Sequence, residues 1–160
     1  MRLQVLCVGR LKAGPERQLI ARYSERIAPV GRAVGLAPLD LREIDEGRAR
    51  RPDDRKIDEA LRIAAFLPEG SAVWALDESG AHLTSEEFAR EIAKLRDQGT
   101  PTLGFAIGGA DGLDESLRQR ANRTISFGAM TLPHQLIRVL LLEQIYRATT
   151  ILSGHPYHRG

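Results

Sequence analysis

The segment Ser126–His134, SFGAMTLPH, leads directly into the run Gln135–Thr150, QLIRVLLLEQIYRATT. Pro133 suits the first turn of a helix, because its fixed φ is already helical and its missing N–H would have no partner there. Apolar residues cover most of the circumference of the run, which is typical of a helix buried on several sides, in a core or against a second subunit. The preceding loop has no charged side chain, so its backbone is free to bind a ligand. The sequence therefore predicts a ligand-binding loop fixed to a buried helix.

The composition is that of a globular protein with one domain over residues 1–160. Of the 160 residues, 42% are hydrophobic and 28% are charged. The net charge of +2 and the pI of about 9.0 give a mild basic bias, which is compatible with nucleic acid as a partner. The chain has one dense run of basic residues. Such a run, taken without other information, is typical of a solvated surface loop. Its cations are Arg48, Arg50, Arg51, Arg55 and Lys56.

The single cysteine, Cys7, excludes a disulfide scaffold and a cysteine metal site, and it fits a reducing compartment. The apolar start of the chain, Met1–Gly9, is too short for a secretory signal. No uncharged stretch reaches the length of a membrane span. We therefore expect a cytoplasmic protein that does not bind membranes.

Strand and helix patterns alternate along the whole chain. The predicted strands are Leu3–Val8, Leu36–Ile44, Ala72–Leu76, Thr102–Ile107 and Asn122–Phe127. The predicted helices are Pro15–Ile27, one from Pro52 that ends before Pro68, one capped by Thr84 with Glu87 in a capping box, one from Asp114 to Ala121, and the final run. Pro29–Gly35 is predicted to be a connection and Glu78–Gly80 a turn. In the second helix, the inner face is predicted to carry Ile57, Ala60, Leu61, Ala64 and Ala65.

This alternation predicts an α/β fold with a largely parallel sheet flanked by helices. Ligands of such sheets bind at the carboxyl ends of the strands. Three of these ends lie from the middle of the chain onward: Leu76–Asp77, Ile107–Gly109 and the residues from Phe127 onward. We therefore expect the binding site in the second half of the chain.

The glycine-rich segment Gly108–Gly112, GGADG, follows a predicted strand and precedes a predicted helix. Glycines there allow a ligand to approach the backbone closely. The spacing matches neither the dinucleotide fingerprint nor a P-loop. Both a ligand-binding turn and a simple strand-to-helix turn remain open from the residues alone.

The histidines do not predict a metal site. His134, His155 and His158 are joined by no cysteine or carboxylate in a ligand pattern, and a zinc site needs three or four closing ligands. The tail His155–Arg159, HPYHR, is either a frayed terminus or a group of side chains that stacks, donates hydrogen bonds and grips phosphate.

Several motifs together resemble one family, the RlmH family of SPOUT-class methyltransferases, which modify N3 of a pseudouridine in the 23S RNA of the large ribosomal subunit. The motifs are Leu76–Asp77, Phe105–Leu113, Ser126–His134, Ile137–Leu140, Glu143–Ala148 and His155–Arg159. The opening residues Met1–Val5 and Val8–Gly9 are similar too, whereas the stretch from about 14 to 70 is less distinctive. One departure is Ala110–Asp111, where the family commonly has Pro-Glu.

The resemblance implies a trefoil knot near the C-terminus and a homodimer packed through the knot and the last helix. It implies S-adenosylmethionine as cofactor, held among three loops. The implied cofactor-binding residues are Leu76, Gly108, Phe127, Gly128, Ala129, Met130, Thr131 and Leu132. The tail, with Tyr157, His158 and Arg159, would complete the partner subunit's pocket.

The implied reaction is an in-line transfer of the methyl group to N3, in which alignment supplies much of the acceleration. His158 or solvent would accept the N3 proton, since an imidazole titrates near neutral pH. Tyr157 would stack on or hydrogen-bond the base, and Arg159 and Arg138 would hold phosphate or favour the N3 anion. No metal is needed. The modest net charge suggests that the assembled ribosome presents the RNA.

Three alternatives remain. The first is a non-catalytic RNA- or ribosome-binding protein on the same fold, and the second is a methyltransferase for another RNA site. The third is an ordinary nucleotide-binding α/β protein, which would have its pocket at the end of the first strand, near Gly9.

Overall fold

A five-stranded parallel sheet forms the centre of the protein in a computed structural model that describes residues 1–157. The strands are β1 (Arg2–Val8), β2 (Leu39–Ile44), β3 (Ala72–His82), β4 (Thr102–Ile107) and β5 (Arg123–Ser126). Their order across the sheet is β2-β1-β4-β3-β5, and every neighbouring pair is parallel. The predicted α/β fold with a parallel sheet is therefore confirmed.

Helices cover both faces of the sheet. They are α1 (Pro15–Ala33), α2 (Pro52–Ala65), α3 (Ser85–Asp97), α4 (Glu115–Arg120) and α5 (His134–Ser153). Helices α1, α3 and α5 pack on one face, and α2 and α4 on the other. Because successive strand residues point to opposite faces, Val5 and Cys7 of β1 enter the first core, whereas Leu6 and Val8 enter the second.

The start of α3 has the predicted capping box. The Glu87 amide donates to the Thr84 hydroxyl over 3.2 Å, and the Thr84 amide donates to the Glu87 carboxylate over 2.8 Å. Helix α5 is the most apolar in appearance, but no helix within residues 1–157 is both long enough and apolar enough to cross a membrane.

Helix α1 is longer than predicted, since it continues through Pro29 to Ala33. Proline removes the hydrogen bond to the Glu25 carbonyl, but both residues are exposed and water can satisfy that oxygen. The chain then turns back sharply, and the Leu36 amide donates to the Gly31 carbonyl over 2.7 Å. The predicted connection at 29–35 is therefore wrong in its first part.

The predicted inner face of α2 is confirmed at Ala60 but wrong at Ile57 and Leu61. The buried residues of α2 are Glu59, Ala60 and Ile63, whereas Ile57 is 50% and Leu61 67% exposed. Glu59 points inward because its carboxylate accepts a hydrogen bond from the Gly47 amide over 2.8 Å. The helical spacing of apolar residues, from which the inner face is predicted, carries no information about this polar contact.

Strand β3 continues where a turn was predicted at 78–80. Its register with β5 shifts between Leu76 and Ala81, so the intervening residues bulge. Glycine is needed at position 80, because an added Cβ would lie 2.5 Å from the Ile125 carbonyl carbon. The bulge brings the acidic end of β3 beside the end of β5.

The connection from β5 to α5 crosses the carboxyl edge of the sheet. Strand β5 lies beyond β3, whereas α5 begins near β1, where Arg138 bonds to Val8 and Gly9. The trefoil knot implied by the resemblance stays a prediction.

Replacing Gly80 by alanine should destabilise the fold by about 1–3 kcal/mol, because the new methyl group overlaps the β5 backbone. Urea unfolding would measure the loss. Gly14→Ala is the matched control, since Gly14 has extended backbone and its added Cβ would meet only the flexible end of Glu16 at 3.2 Å. Equal stability of the two variants would contradict the close β3–β5 approach.

Candidate active site

A cleft of about 810 Å³ opens at the carboxyl edge of the sheet. Small-molecule sites have volumes of about 300–1,000 Å³, so the cleft has the size of one. Its walls come from three segments, within residues 76–79, 107–113 and 125–137, together with Lys56 and Arg118. These are the three strand ends that the sequence predicts as the binding site.

The glycine-rich wall turns so tightly that only glycine fits at its start. An added Cβ at Gly108 would lie 2.6 Å from the carbonyl carbon of Gly112. Gly112 has a φ of +81°, which side-chain-bearing residues rarely adopt, and its amide donates to the Gly109 carbonyl over 3.1 Å. The turn therefore exposes backbone to the cleft, alongside Ala110 and Asp111, which favours the ligand-binding interpretation of this segment.

The wall before α5 is held by its own short side chains. The Ser126 hydroxyl donates to the Gly128 carbonyl over 2.7 Å, and the Gly128 amide donates back to that hydroxyl over 3.2 Å. The Thr131 hydroxyl donates to the Glu78 carboxylate over 3.0 Å and so fastens this loop to β3. The backbone of the loop is thus fixed beside the cleft.

Seven of the eight predicted cofactor-binding residues line the cleft. They are Leu76, Gly108, Phe127, Gly128, Met130, Thr131 and Leu132. Ala129 is not among the lining residues, although both of its neighbours are. Their role in binding a cofactor stays a prediction.

Asp77 supplies negative charge at the cleft wall. Its carboxylate accepts hydrogen bonds from the Ser79 amide over 3.0 Å and from Arg118 over 3.2 Å. Burial raises the pKa of Asp77, but the bonds from Ser79 and the charge of Arg118 outweigh burial and hold that pKa below its ordinary value. Asp77 is therefore ionised at neutral pH and joins β3 to α4.

His134 is the imidazole that the described residues bring to the cleft. Burial, and then the charge of Arg138, lower the pKa of His134. The ring is therefore uncharged at neutral pH and can accept a hydrogen bond at one nitrogen.

Arg138 lies away from the cleft wall. Its side chain is fully buried, and its guanidinium donates to the carbonyls of Val8 and Gly9 over 2.6 and 2.9 Å. It also bonds to the Glu43 carboxylate over 3.3 Å. These contacts argue against the direct contact with substrate that the sequence analysis expects, and they favour a structural role.

Tyr157 lies against α5 rather than in the cleft of its own chain. Its ring centre is 4.7 Å from that of Tyr146, the Arg147 guanidinium lies 5.1 Å from the ring centre, and its hydroxyl donates to Glu143 over 3.3 Å. Burial, followed by the charge of Glu143, raises the pKa of Tyr157 to about 12. The predicted residues His158 and Arg159 lie outside the described residues.

The sequence does not predict that Lys56, Arg118 and His134 line the cleft. Lys56 belongs to the basic run that is predicted to be a solvated loop. The Asp114 cap that opens α4 was recognisable, but its spacing does not reveal that α4 aims Arg118 at Asp77. Within residues 1–157, no group of three or more His, Cys, Asp or Glu side chains is arranged to hold a metal ion.

Comparison with known proteins identifies the family. A family model described as "Predicted SPOUT methyltransferase" matches residues 1–158. This chain belongs to the SPOUT methyltransferase family. Full-length relatives agree: proteins named "Ribosomal RNA large subunit methyltransferase H" from Xanthobacter autotrophicus and Bradyrhizobium are 55% and 54% identical over 160 residues, covering all of this chain and 100% and 99% of theirs. One from Methylocella silvestris is 55% identical over 159 residues, 99% of each chain.

Membership of the SPOUT family accounts for the position of the cleft. The predicted RlmH-type resemblance is confirmed, and the alternative of an ordinary nucleotide-binding protein is not supported, since Gly9 does not line the cleft. A SPOUT methyltransferase needs a methyl donor, and this cleft offers free backbone and a suitable volume for one.

Replacing Arg138 by methionine should cost about 3–5 kcal/mol of stability, because Glu43 and two buried carbonyls lose their cationic donor. Urea unfolding and methyl transfer to ribosomes should be measured on the same preparation. A variant that unfolds like the native protein yet loses methyl transfer would instead favour a direct role of Arg138 towards substrate.

Proposed function

We propose that this protein transfers the methyl group of S-adenosylmethionine to N3 of a pseudouridine in 23S ribosomal RNA, acting as a cytoplasmic homodimer on the assembled ribosome. The observation that carries the proposal is the full-length likeness to proteins named as large-subunit ribosomal RNA methyltransferases, combined with a cleft at the three loops that the resemblance assigns to the cofactor.

The residues present fit this cofactor. An adenosyl group needs backbone donors and acceptors for its base edge, and the loops around Gly108 and Gly128 present backbone that no side chain covers. A sulfonium carries positive charge, and the same wall carries two carboxylates, the ionised Asp77, which is paired with Arg118, and the exposed Glu78. When bound, S-adenosylmethionine would supply an electrophilic methyl group.

The chain's own residues would then align and desolvate the acceptor base. Productive transfer needs the acceptor nitrogen, the methyl carbon and the sulfur in line, which a cleft of fixed backbone can impose. The N3 proton has to leave, and His158 or solvent would accept it. His134, uncharged at the cleft wall, can accept a hydrogen bond and so help to orient the base or the cofactor.

Features of α5 support a homodimer. Leu136 and Leu140 lie one turn apart on its outer side. They are 43% and 38% exposed, which leaves two large apolar side chains next to each other in contact with solvent. Leu136 follows the cleft residues Pro133 and His134 closely, so a subunit packed on this stripe would stand beside the cleft. The partner's Tyr157, His158 and Arg159 are then the tail residues that would complete it.

Two alternatives keep the same fold. A non-catalytic ribosome-binding protein would bind the cofactor without transferring the methyl group, and a methyltransferase for another RNA site would modify a different base. The names of the relatives favour transfer to large-subunit RNA over both.

The decisive test uses labelled S-adenosylmethionine and ribosomes from cells that lack this protein. We expect one label per ribosome, at N3 of a pseudouridine in 23S RNA, and little label on protein-free RNA. Label on another base would show that the methyltransferase acts at another RNA site. Cofactor binding without any transfer would favour the non-catalytic alternative.

Mixed dimers test whether the tail works across the subunits. One subunit carries Gly108→Val, which should block its cleft because even a Cβ lies 2.6 Å from Gly112. The other subunit lacks residues 158–160. Each homodimer should be inactive, and the mixture should regain methyl transfer because one site then has an intact cleft and a partner's tail. Absence of any recovery, with dimer exchange shown separately, would mean that each subunit uses its own tail.

A further inference from the structure

The basic run that looked like a solvated loop is held rigidly beside the cleft. We call residues 45–51 the arginine loop; it joins β2 to α2 and carries Arg48, Arg50 and Arg51, all exposed. Within residues 1–157, the side chains of Arg50 and Arg51 take part in no hydrogen bond or ion pair. Exposed cations without partners on an ordered loop are available to bind an external anion.

Two buried or half-buried side chains fix the backbone of the arginine loop. Glu59, only 5% exposed, accepts a hydrogen bond from the Gly47 amide over 2.8 Å. Arg55 donates to the carbonyls of Ala49 and Arg50, over 3.0 Å each. The loop also lies flush on α2, since an added Cβ at Gly47 would be 2.8 Å from Arg55 Cα.

The same Arg55 joins the loop to the cleft. Its Nε donates to the Asp111 carboxylate over 2.7 Å, and Asp111 lines the cleft together with the next residue of α2, Lys56. The arginine loop therefore stands at the rim of the cleft on its α2 side.

Two of the neighbouring carboxylates already have cationic partners, whereas the exposed Glu46 and Asp54 form no ion pair within residues 1–157. Asp45 pairs with Arg10 over 2.7 Å, and Asp53 pairs with Lys56 over 3.0 Å. Arg62 also donates to the Asp45 carbonyl over 3.2 Å. The outward charge of the loop is therefore positive where Arg50 and Arg51 project.

We infer that the arginine loop is an RNA-backbone contact that positions the substrate at the cleft, with Arg50 and Arg51 binding phosphates. The inference rests on the proposed function and adds a contact surface to it. Guanidinium groups pair with phosphate oxygens in a two-pronged geometry, and phosphate contacts set register without reading sequence. Anchoring by Glu59 and Arg55 limits the entropy lost when the loop binds.

The test compares two double variants that remove the same charge. Arg50→Gln/Arg51→Gln alters the loop, and Arg32→Gln/Lys94→Gln alters exposed cations in the last turns of α1 and α3, at the opposite edge of the sheet. Methyl transfer to unmodified ribosomes should be measured at several salt concentrations, and S-adenosylmethionine binding should be measured by calorimetry.

For the loop variant we expect kcat/KM to fall about tenfold, with unchanged cofactor binding, and the slope of log kcat/KM against log salt to become shallower by about 0.7 for each arginine removed. The control variant should keep the native slope. Equal kinetics of the two variants would overturn the inference, whereas an inactive native protein would overturn the proposed function instead.

A crosslink distinguishes RNA from a protein partner. Cys7 is the only cysteine and is fully buried, so Arg50→Cys accepts a photoreactive thiol probe at one surface position. Irradiation on ribosomes should attach the loop to 23S RNA. Attachment to a ribosomal protein alone would overturn the assignment to the RNA backbone.

Discussion

The buried guanidinium of Arg138 joins the last helix of the protein to its first strand. It donates to the carbonyls of Val8 and Gly9 and to Glu43 on β2, so one side chain connects residues that lie 95 to 130 positions apart in the sequence. Burying a charge is costly unless it is paired and hydrogen-bonded, and here each contact helps to repay that cost. With α5 fixed in this way, the loop before it has to cross the carboxyl edge of the sheet, and the cleft forms beneath that crossing.

The cleft is built largely of backbone, and this determines what the chain can do there. Gly108, Gly112 and Gly128 allow turns that a side chain would block or strain, and Ser126 and Thr131 hold the crossing loop through short hydrogen bonds. Charge enters through Asp77, whose ionised form is held by Ser79 and Arg118. Such a site suits a ligand that is recognised through hydrogen bonds along its polar edges. Tyr157 packs on Tyr146 and lies on another surface of the same chain.

Where the structure differs from the predictions made from the sequence, a contact that those predictions did not include accounts for the difference. The inward face of α2 is only partly predicted, because Glu59 is buried by its bond to the Gly47 amide. The basic run is exposed at Arg48, Arg50 and Arg51, as predicted, but the sequence does not reveal that Arg55 bonds to Asp111 and to two carbonyls of the run. Strand β3 was expected to stop before Glu78, yet Gly80 lets it continue against Ile125. The contacts of Arg55 with Asp111 and of Gly80 with Ile125 join residues that are distant in the sequence, whereas Arg55 reaches Ala49 and Arg50 within six residues.

The sequence by itself determined the order of strands and helices, the parallel sheet, the capping box at Thr84 and the three strand ends that form the cleft. These features depend on local propensity, on the periodicity of apolar residues and on the rule that the carboxyl ends of parallel strands lie at the same edge of the sheet. All three can be applied to the sequence without knowledge of the tertiary structure. Only the tertiary structure decided that Arg138 is enclosed, that His134, Lys56 and Arg118 reach the cleft, and that the arginine loop stands at its rim. Those outcomes depend on which distant groups satisfy one another's hydrogen bonds and charges, and that pairing exists only once the helices have packed on the sheet.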